Sequence, residues 1–268
     1  MKALFMLILL ITAGVVQLFG INSEEPLVTT TTTPVTIEET ISELTEELTG
    51  DIGAIIRPAI TEPTATPTPE PVFSGTKMTN LFGDPAVTDN FERGSSGFGI
   101  NAGLNDDETM RIIALNNRLS LEPKKNNGWI TWRLRPPVMA DGAAEMEFSV
   151  TTCARGDRTG ILMHAPDYTS GHGYYFTLAC EGIVSILRDS TVLASAEVPH
   201  LFRNTSGETN VMTAVIIGNT LTAMLNGETA VSIQDDTYPS GYAGFFTAPQ
   251  GDRTLTMDVI SFTEYTRN

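Results

Sequence analysis

A set of aromatic and polar side chains in the C-terminal half of the chain could form a carbohydrate-binding surface. Exposed rings with polar groups around them suit the apolar faces and hydroxyls of sugars. Trp129 and Trp132 are an odd number of residues apart, so in a strand they point to opposite faces, and Tyr174 and Tyr175 divide in the same way. We expect a groove near Trp132, His164, Tyr175 and Tyr242.

Two carboxylates, Glu145 and Glu147, are the residues best placed for acid–base chemistry. At positions i and i+2 of a predicted strand they share one face. A carboxylate pair on one face is the arrangement that glycoside hydrolysis requires. It is also the ordinary pattern of a solvated strand face, and we favour that interpretation.

The chain contains two cysteines, Cys153 and Cys180, which flank a pair of predicted strands. This arrangement predicts one disulfide in an exported β-domain. Simple alternation puts Cys153 on a polar strand face and Cys180 on an apolar one, so the bridge needs a bulge or a strand end near Thr152. Three scattered histidines and two bridged cysteines do not make a zinc site.

The N-terminus predicts export. Lys2 precedes an apolar run that continues to Phe19, and residues 1–20 fit either a signal peptide or a single-pass membrane anchor. Both alternatives export everything that follows, to the cell surface or the extracellular space. The net charge is −16 without any cluster of Lys or Arg, which argues against nucleic acid and anionic membrane surfaces as partners.

Residues 21–79 are predicted to form a disordered stalk. The segment is rich in Thr, Pro and Glu and has no aromatic residue before Phe73, so it cannot bury enough apolar area to fold. A capping box at Thr36–Glu39 predicts a short amphipathic helix over residues 37–49. Its apolar stripe suits either self-association or a transient helix within the stalk, and we favour the second.

Residues 80–268 have the period-two pattern of an all-β domain. Alternating segments such as Ala143–Thr152, Gly173–Cys180 and Thr209–Ile217 are joined by short turns, and Asn226-Gly227 predicts a tight hairpin. No long amphipathic helix is predicted in this region. We therefore expect a two-sheet antiparallel jelly-roll sandwich, preceded by the disordered stalk and an N-terminal apolar helix.

Several motifs in this region resemble those of the concanavalin A-like lectin/glucanase superfamily, near its laminin-G-like and family 16 glycoside hydrolase-like modules from bacterial surface proteins. They are Asp89-Asn-Phe91, the hairpin of Gly160–His164 and Gly173–Leu178, Leu221–Gly227, Gly241–Phe245, and the closing Leu255–Phe262. The resemblance covers about residues 80–268 and implies a jelly roll. Members of the superfamily include carbohydrate-binding modules, glycoside hydrolases and adhesion domains, so the motifs indicate a fold and not an activity.

The resemblance also bears on the candidate sites. Family 16-like hydrolases carry Glu-x-Asp-x-x-Glu on one strand, whereas this chain has Glu145-x-Glu147 and Val150 where the last carboxylate would stand. Calcium is common in the superfamily near the first and last strands, where Asp89 and Asp258 could supply oxygens. We favour an ordinary edge carboxylate at each position and expect no cofactor, with a structural calcium ion as the alternative.

The sequence thus predicts an exported module that binds extracellular carbohydrate or a surface protein without catalysis. One alternative is a glycoside hydrolase with an atypical carboxylate arrangement. Another is a structural surface protein that assembles through the apolar stripe Ile37–Leu48.

Overall fold

The computed structural model describes residues 73–251 and 255–267. Within them lie one short helix and seventeen strands. They are α1 (Met78–Phe82), β1 (Val87–Asp89), β2 (Gly94–Ser95), β3 (Ile100–Asn101), β4 (Gly103–Asp106), β5 (Met110–Ala114), β6 (Leu119–Pro123), β7 (Thr131–Met139), β8 (Gly142–Thr152), β9 (Arg158–Ala165), β10 (Tyr174–Ala179), β11 (Ile183–Arg188), β12 (Thr191–Glu197), β13 (Thr209–Ile217), β14 (Thr220–Leu225), β15 (Glu228–Gln234), β16 (Gly241–Ala248) and β17 (Thr256–Thr266).

The strands form two antiparallel sheets and a small ribbon. The nine-stranded sheet has the order β15-β14-β13-β8-β17-β6-β5-β4, and β1 also pairs with β17. The six-stranded sheet has the order β12-β11-β10-β9-β16-β7, and β2 pairs with β3. Strands distant in sequence, such as β8 and β17, are neighbours in the sheet, as the long connections of a jelly roll require.

The inner faces of the two sheets pack together and form the main core. In β8 the even positions Met146 and Phe148 point inward and are fully buried, while Glu145 and Glu147 point outward. Phe98, from the loop between β2 and β3, fills the space between Phe245 and Phe262, with ring centroids 5.0 and 5.3 Å away. Truncating such a buried ring typically costs roughly 3–5 kcal/mol of folding free energy.

Each sheet also has an apolar cluster on its outer face. The outer cluster of the nine-stranded sheet joins Val215, Met224 and Tyr265 to Phe73 and Met78, which come from the segment before β1. Strands β13 and β14 are apolar on both faces because their outer side is covered in this way. The packed region therefore includes Phe73 and Met78, which lie ahead of the boundary at residue 80 that the strand pattern suggests.

The predicted disulfide is present and joins Cys153 to Cys180, with their Cα atoms 5.7 Å apart. Strand β8 ends at Thr152 and β10 ends at Ala179, so both cysteines lie just beyond a strand and alternation does not constrain them. The bridge closes a loop with a sequence separation of 27. On the chain-entropy model such a loop stabilises the folded state by roughly 3–4 kcal/mol.

Beside the disulfide, the turn after β8 is held by Asp157, whose side chain is fully buried. Its two carboxylate oxygens accept hydrogen bonds from the backbone N–H groups of Ala154 and Gln250, each at 2.8 Å. Its carbonyl oxygen accepts a third from the backbone N–H of Cys180, at 3.1 Å. A buried carboxylate is tolerated here because backbone donors surround it.

The jelly-roll fold and its strands from β7 to β17 confirm the prediction, whereas β1 to β6 were not predicted individually. The predicted signal or anchor at residues 1–20, most of the stalk, and the helix at 37–49 lie outside the described residues. Among the residues that are described, no helix has the length and apolarity needed to cross a bilayer.

Candidate functional site

The candidate site lies on the outer face of the six-stranded sheet. Alternation in β7, β9, β10, β11 and β16 sends one set of side chains into the main core and the other set outward. The outward set forms a buried apolar cluster of Leu134, Leu162, Ala165, Tyr175, Leu187, Phe246 and Ala248. Ile130, Trp132 and Tyr242 pack against this cluster and stay half-buried, so their ring and side-chain surfaces remain partly open to solvent.

The loop between β9 and β10, residues 166–173, folds back across this face. Asp167 fixes the loop, because its Oδ1 accepts hydrogen bonds from the backbone N–H groups of Thr169 and Ser170, each at 2.7 Å. These bonds hold the pKa of Asp167 well below its usual value. Gly171 has a positive φ of 67° and lies so close to Trp132 that an added Cβ would be 2.8 Å from the ring.

The loop and the sheet together form an aromatic platform, which we define as Trp132, Tyr168 and Tyr242 with Tyr175 beneath them. The rings of Tyr168 and Tyr242 are stacked, with centroids 4.2 Å apart and planes inclined by 29°. The indole N–H of Trp132 donates to the carbonyl of Tyr168 at 3.1 Å. Tyr168 keeps 46% of its surface exposed, so its ring is available to a ligand.

Tyr175 forms the floor of the platform. Its side chain is only 2% exposed, and its hydroxyl donates to the carbonyl of Gly171 at 2.5 Å. Its ring meets that of Phe246 edge to face at 5.1 Å. Burial and the negative charge of Asp189 raise the pKa of Tyr175, so its phenol stays protonated and holds the loop from below.

Polar groups border the platform where the loop meets β10 and β11. Asp189 accepts hydrogen bonds from the backbone N–H of Gly173 at 3.0 Å and from the hydroxyl of Tyr238 at 2.9 Å. His172 lies 3.2 Å from the same carboxylate and is exposed. Partial burial alone would raise the pKa of Asp189, but these partners lower it below its ordinary value. The border of the platform therefore carries the carboxylate of Asp189, which its hydrogen bonds hold in place, and the exposed imidazole of His172.

Of the four side chains predicted to form a groove, the structure brings Trp132, Tyr175 and Tyr242 together on one face. Tyr168 belongs to the same group and was not predicted, because it lies in a loop where strand alternation gives no signal. The only indication in the sequence is the neighbouring Asp167-x-Thr-Ser pattern, which favours a turn held by the Asp side chain and so predicts an ordered loop at Tyr168. Trp129 precedes β7 and is 56% exposed.

The placement of His164 at the ligand surface was wrong, because its side chain is 1% exposed and faces the interior. Its φ is +55° and the pairing of β9 with β16 shifts register there, so a β-bulge reverses the alternation. Its ring nitrogens lie 2.7 Å from the carbonyl oxygens of Tyr238 and Ala140. Burial lowers the pKa of His164, although both carbonyls favour the charged ring.

Glu145 and Glu147 point away from the aromatic platform. Both lie on the outer face of the nine-stranded sheet, which is the opposite side of the sandwich. Glu147 accepts a hydrogen bond from the hydroxyl of Ser261 at 3.4 Å. A ligand on the platform therefore cannot reach either carboxylate, and the two sets of residues do not form one site.

The two aspartates considered for calcium do not fit a common cation site. Asp89 pairs with Phe262 of β17, four residues from Asp258 along the strand, which is roughly 13 Å at the usual rise. Asp89 lies 3.5 Å from Arg135, and Asp258 lies 3.0 Å from Arg118, so a guanidinium already neutralises each carboxylate. Residues 73–251 and 255–267 contain no cluster of three or more His, Cys, Asp or Glu suited to a metal.

Comparison with known proteins gives structural matches only. No family model and no curated protein matches the chain. A Bacillus subtilis protein of unknown function with a galectin-like fold matches with a TM-score of 0.54 and 12% identity, over 70% of this chain and 99% of that one.

Two further solved structures are more distant. The carbohydrate-binding module CBM66 of Bacillus subtilis has a TM-score of 0.46 and 11% identity, over 62% of this chain and 92% of that one. A seed lectin of Lotus tetragonolobus has a TM-score of 0.42 and 13% identity, over 60% and 94%. The structural neighbours thus include lectins and carbohydrate-binding modules. The described domain has the two-sheet jelly-roll fold that the sequence predicted, and it shares this fold with the galectin-like protein from Bacillus subtilis.

Proposed function

We propose that the domain binds extracellular carbohydrate through the aromatic platform and does not catalyse a reaction on it. The observation that carries this proposal is the stacked pair of Tyr168 and Tyr242 beside Trp132, with the ring of Tyr168 half open to solvent. Sugar rings present apolar C–H faces that pack on such rings, while their hydroxyls need polar partners close by. Asp189 and His172 supply those partners at the border of the platform.

The location of the protein belongs to the same proposal. The disulfide between Cys153 and Cys180 supports an oxidising compartment, such as the cell surface or the extracellular space. We extend the proposal to residues 1–20 as the export signal or membrane anchor. A surface glycoprotein would be bound through its glycans in the same way as a free polysaccharide.

The position of the carboxylates supports a binding module over a hydrolase. A retaining hydrolase needs two carboxyl groups roughly 5–5.5 Å apart on either side of the bound sugar. Glu145 and Glu147 share a face, but it is the one opposite the platform. Release of reducing ends from a polysaccharide that is lost in Glu147→Gln would overturn the non-catalytic part of the proposal.

A glycan array probed with the secreted protein tests the binding, followed by calorimetric titration of the strongest hit. Removing one stacked ring costs about 1 kcal/mol, so Tyr168→Ala and Tyr242→Ala should each weaken affinity about fivefold. Leu104→Ala is a matched control, because Leu104 is 64% exposed on the nine-stranded sheet and should change nothing. An empty array with folded protein, or full affinity in Tyr168→Ala, would refute the proposal.

A further inference from the structure

A cavity lies on the side of the sandwich opposite the platform, and we call it the outer cavity. It has a volume of about 460 Å³ and is bounded by the outer face of β8, β13, β14 and β17 and by the segment 75–79. That volume falls within the range of small-molecule sites, roughly 300–1,000 Å³. The proposed carbohydrate function makes no use of it.

The floor of the outer cavity follows from strand register. Thr213 pairs with Glu145 across β13 and β8, and with Met224 across β13 and β14, so these three side chains form one row on the outer face. Tyr265 of β17 lies beside this row and lines the cavity together with Glu145. The floor therefore combines a carboxylate with apolar surface.

The wall of the outer cavity is fixed by bonds between the segment before α1 and the hairpin of β14 and β15. The backbone N–H of Gly75 donates to the carbonyl of Gly227 at 2.9 Å. The backbone N–H of Thr229 donates to the hydroxyl of Ser74 at 3.0 Å. Phe73 and Met78 anchor the same segment in the outer apolar cluster. The cavity is thus part of the packed fold.

The charges around the outer cavity are separated. Glu145 is half-buried, and no cationic side chain within the described residues forms an ion pair with it. Burial raises the pKa of Glu145, while the hydrogen bond from Tyr265 opposes that rise. Lys77 and Arg203 line the cavity as well, and both are exposed. The cavity therefore presents a carboxylate at its floor and two cations at its rim.

We propose that the outer cavity binds a small zwitterion of the amino-acid class, with its ammonium group on Glu145 and its carboxylate between Lys77 and Arg203. The carbon chain of the ligand contacts Val211, a half-buried side chain that lines the cavity. A carboxylate enclosed on one side gains more from a charged donor than an exposed one, because less water competes for it. A dipolar ligand satisfies both ends of the cavity, whereas a simple cation or anion meets a like charge at one of them.

Titration calorimetry of the full chain with linear amino acids, from glycine to aminohexanoate, tests the proposal. Since the ammonium and carboxylate move apart along this series, affinity should reach a maximum at one chain length. That member should bind about tenfold more tightly than the alkylamine or the fatty acid of equal length, as expected for one charge-assisted hydrogen bond.

Three variants locate the site. Glu145→Gln should remove the advantage over the matched fatty acid, since the ligand's ammonium group loses its charged partner, while the advantage over the matched amine should remain. Arg203→Ala should weaken the zwitterion without changing affinity for the amine, and because Arg203 is exposed this variant tests the site even if the first fails to fold. Glu147→Gln, on the same face outside the cavity, and Tyr168→Ala on the platform should bind as the wild type does. A zwitterion that binds no better than its amine, or unchanged binding in Glu145→Gln or Arg203→Ala, would overturn the proposal.

Discussion

The carboxylate of Glu264 makes the stability of the domain depend on pH. It lies in β17, is fully buried, and neither of its oxygens accepts a hydrogen bond from any described residue. The nearest cation is Arg135, whose Nε is 3.8 Å away and whose guanidinium is shared with Asp89. Burial raises the pKa of Glu264 to about 7, and the charge of Arg135 only partly opposes this.

The sign of the effect follows from proton linkage. Between the ordinary value of 4.5 and about 7, the folded state holds a proton on Glu264 that the unfolded chain has released. This contribution to the free energy of unfolding is therefore greatest below 4.5 and falls as the pH rises towards 7. At about 1.4 kcal/mol for each pH unit between the two values, the loss is about 3 kcal/mol.

Glu264→Gln removes the charge and keeps the shape, so it should stabilise the protein only where the native carboxylate would ionise. We expect the free energy of unfolding to increase by about 3 kcal/mol at about pH 8 and to stay nearly unchanged near pH 4.5. Urea denaturation followed by circular dichroism, at several pH values in this range, measures both. Taking the difference between variant and wild type cancels the contributions of the other ionisable groups.

Glu147→Gln is the matched control, because Glu147 lies half-buried on an outer face and its variant should follow the wild-type curve. The reasoning on Glu264 fails if Glu264→Gln is no more stable than the wild type at about pH 8. It also fails if the gain is the same at both ends of the pH range, since a packing effect would not depend on pH.

Three further changes test other parts of the structure. Replacing both Cys153 and Cys180 with Ala should lower the free energy of unfolding by roughly 3–4 kcal/mol in urea titrations, and an unchanged midpoint would contradict the entropic account. Gly160→Ala should prevent folding, because the added Cβ would overlap the carbonyl oxygen of Phe176; soluble protein with a native near-ultraviolet spectrum would show that the strands can separate there. Asp167→Ala should weaken glycan affinity several-fold while leaving the urea midpoint in place, since the bonds it removes fix only the exposed loop; equal losses of both would indicate a wider structural role.

The fold could be predicted largely from strand alternation and turns. The hairpin at Asn226-Gly227 and the alternation in β8 are local signals, and they determine which side chains enter the core. The first six strands were not predicted individually because they are only two to five residues long, and short strands carry little periodic signal. The disulfide was predictable because the chain has two cysteines and both flank strands.

The candidate site was only partly predictable. Trp132, Tyr175 and Tyr242 lie in regular strands, where the alternation of side chains predicts the face on which each one lies. The three residues share a face because their strands belong to the same sheet. His164 was misplaced because a bulge, which depends on pairing with a distant strand, reverses the alternation at that residue. Tyr168 was missed because the path of its loop depends on tertiary contacts with Trp132 and Tyr242.

The position of Phe73 has a practical consequence for binding assays. This residue packs on the outer face of the nine-stranded sheet, so the polypeptide joins the domain on the side that faces away from Tyr168. A biotin or affinity tag attached directly before Phe73 would tether the domain from the side opposite its stacked tyrosines, which leaves them accessible to the flowing analyte.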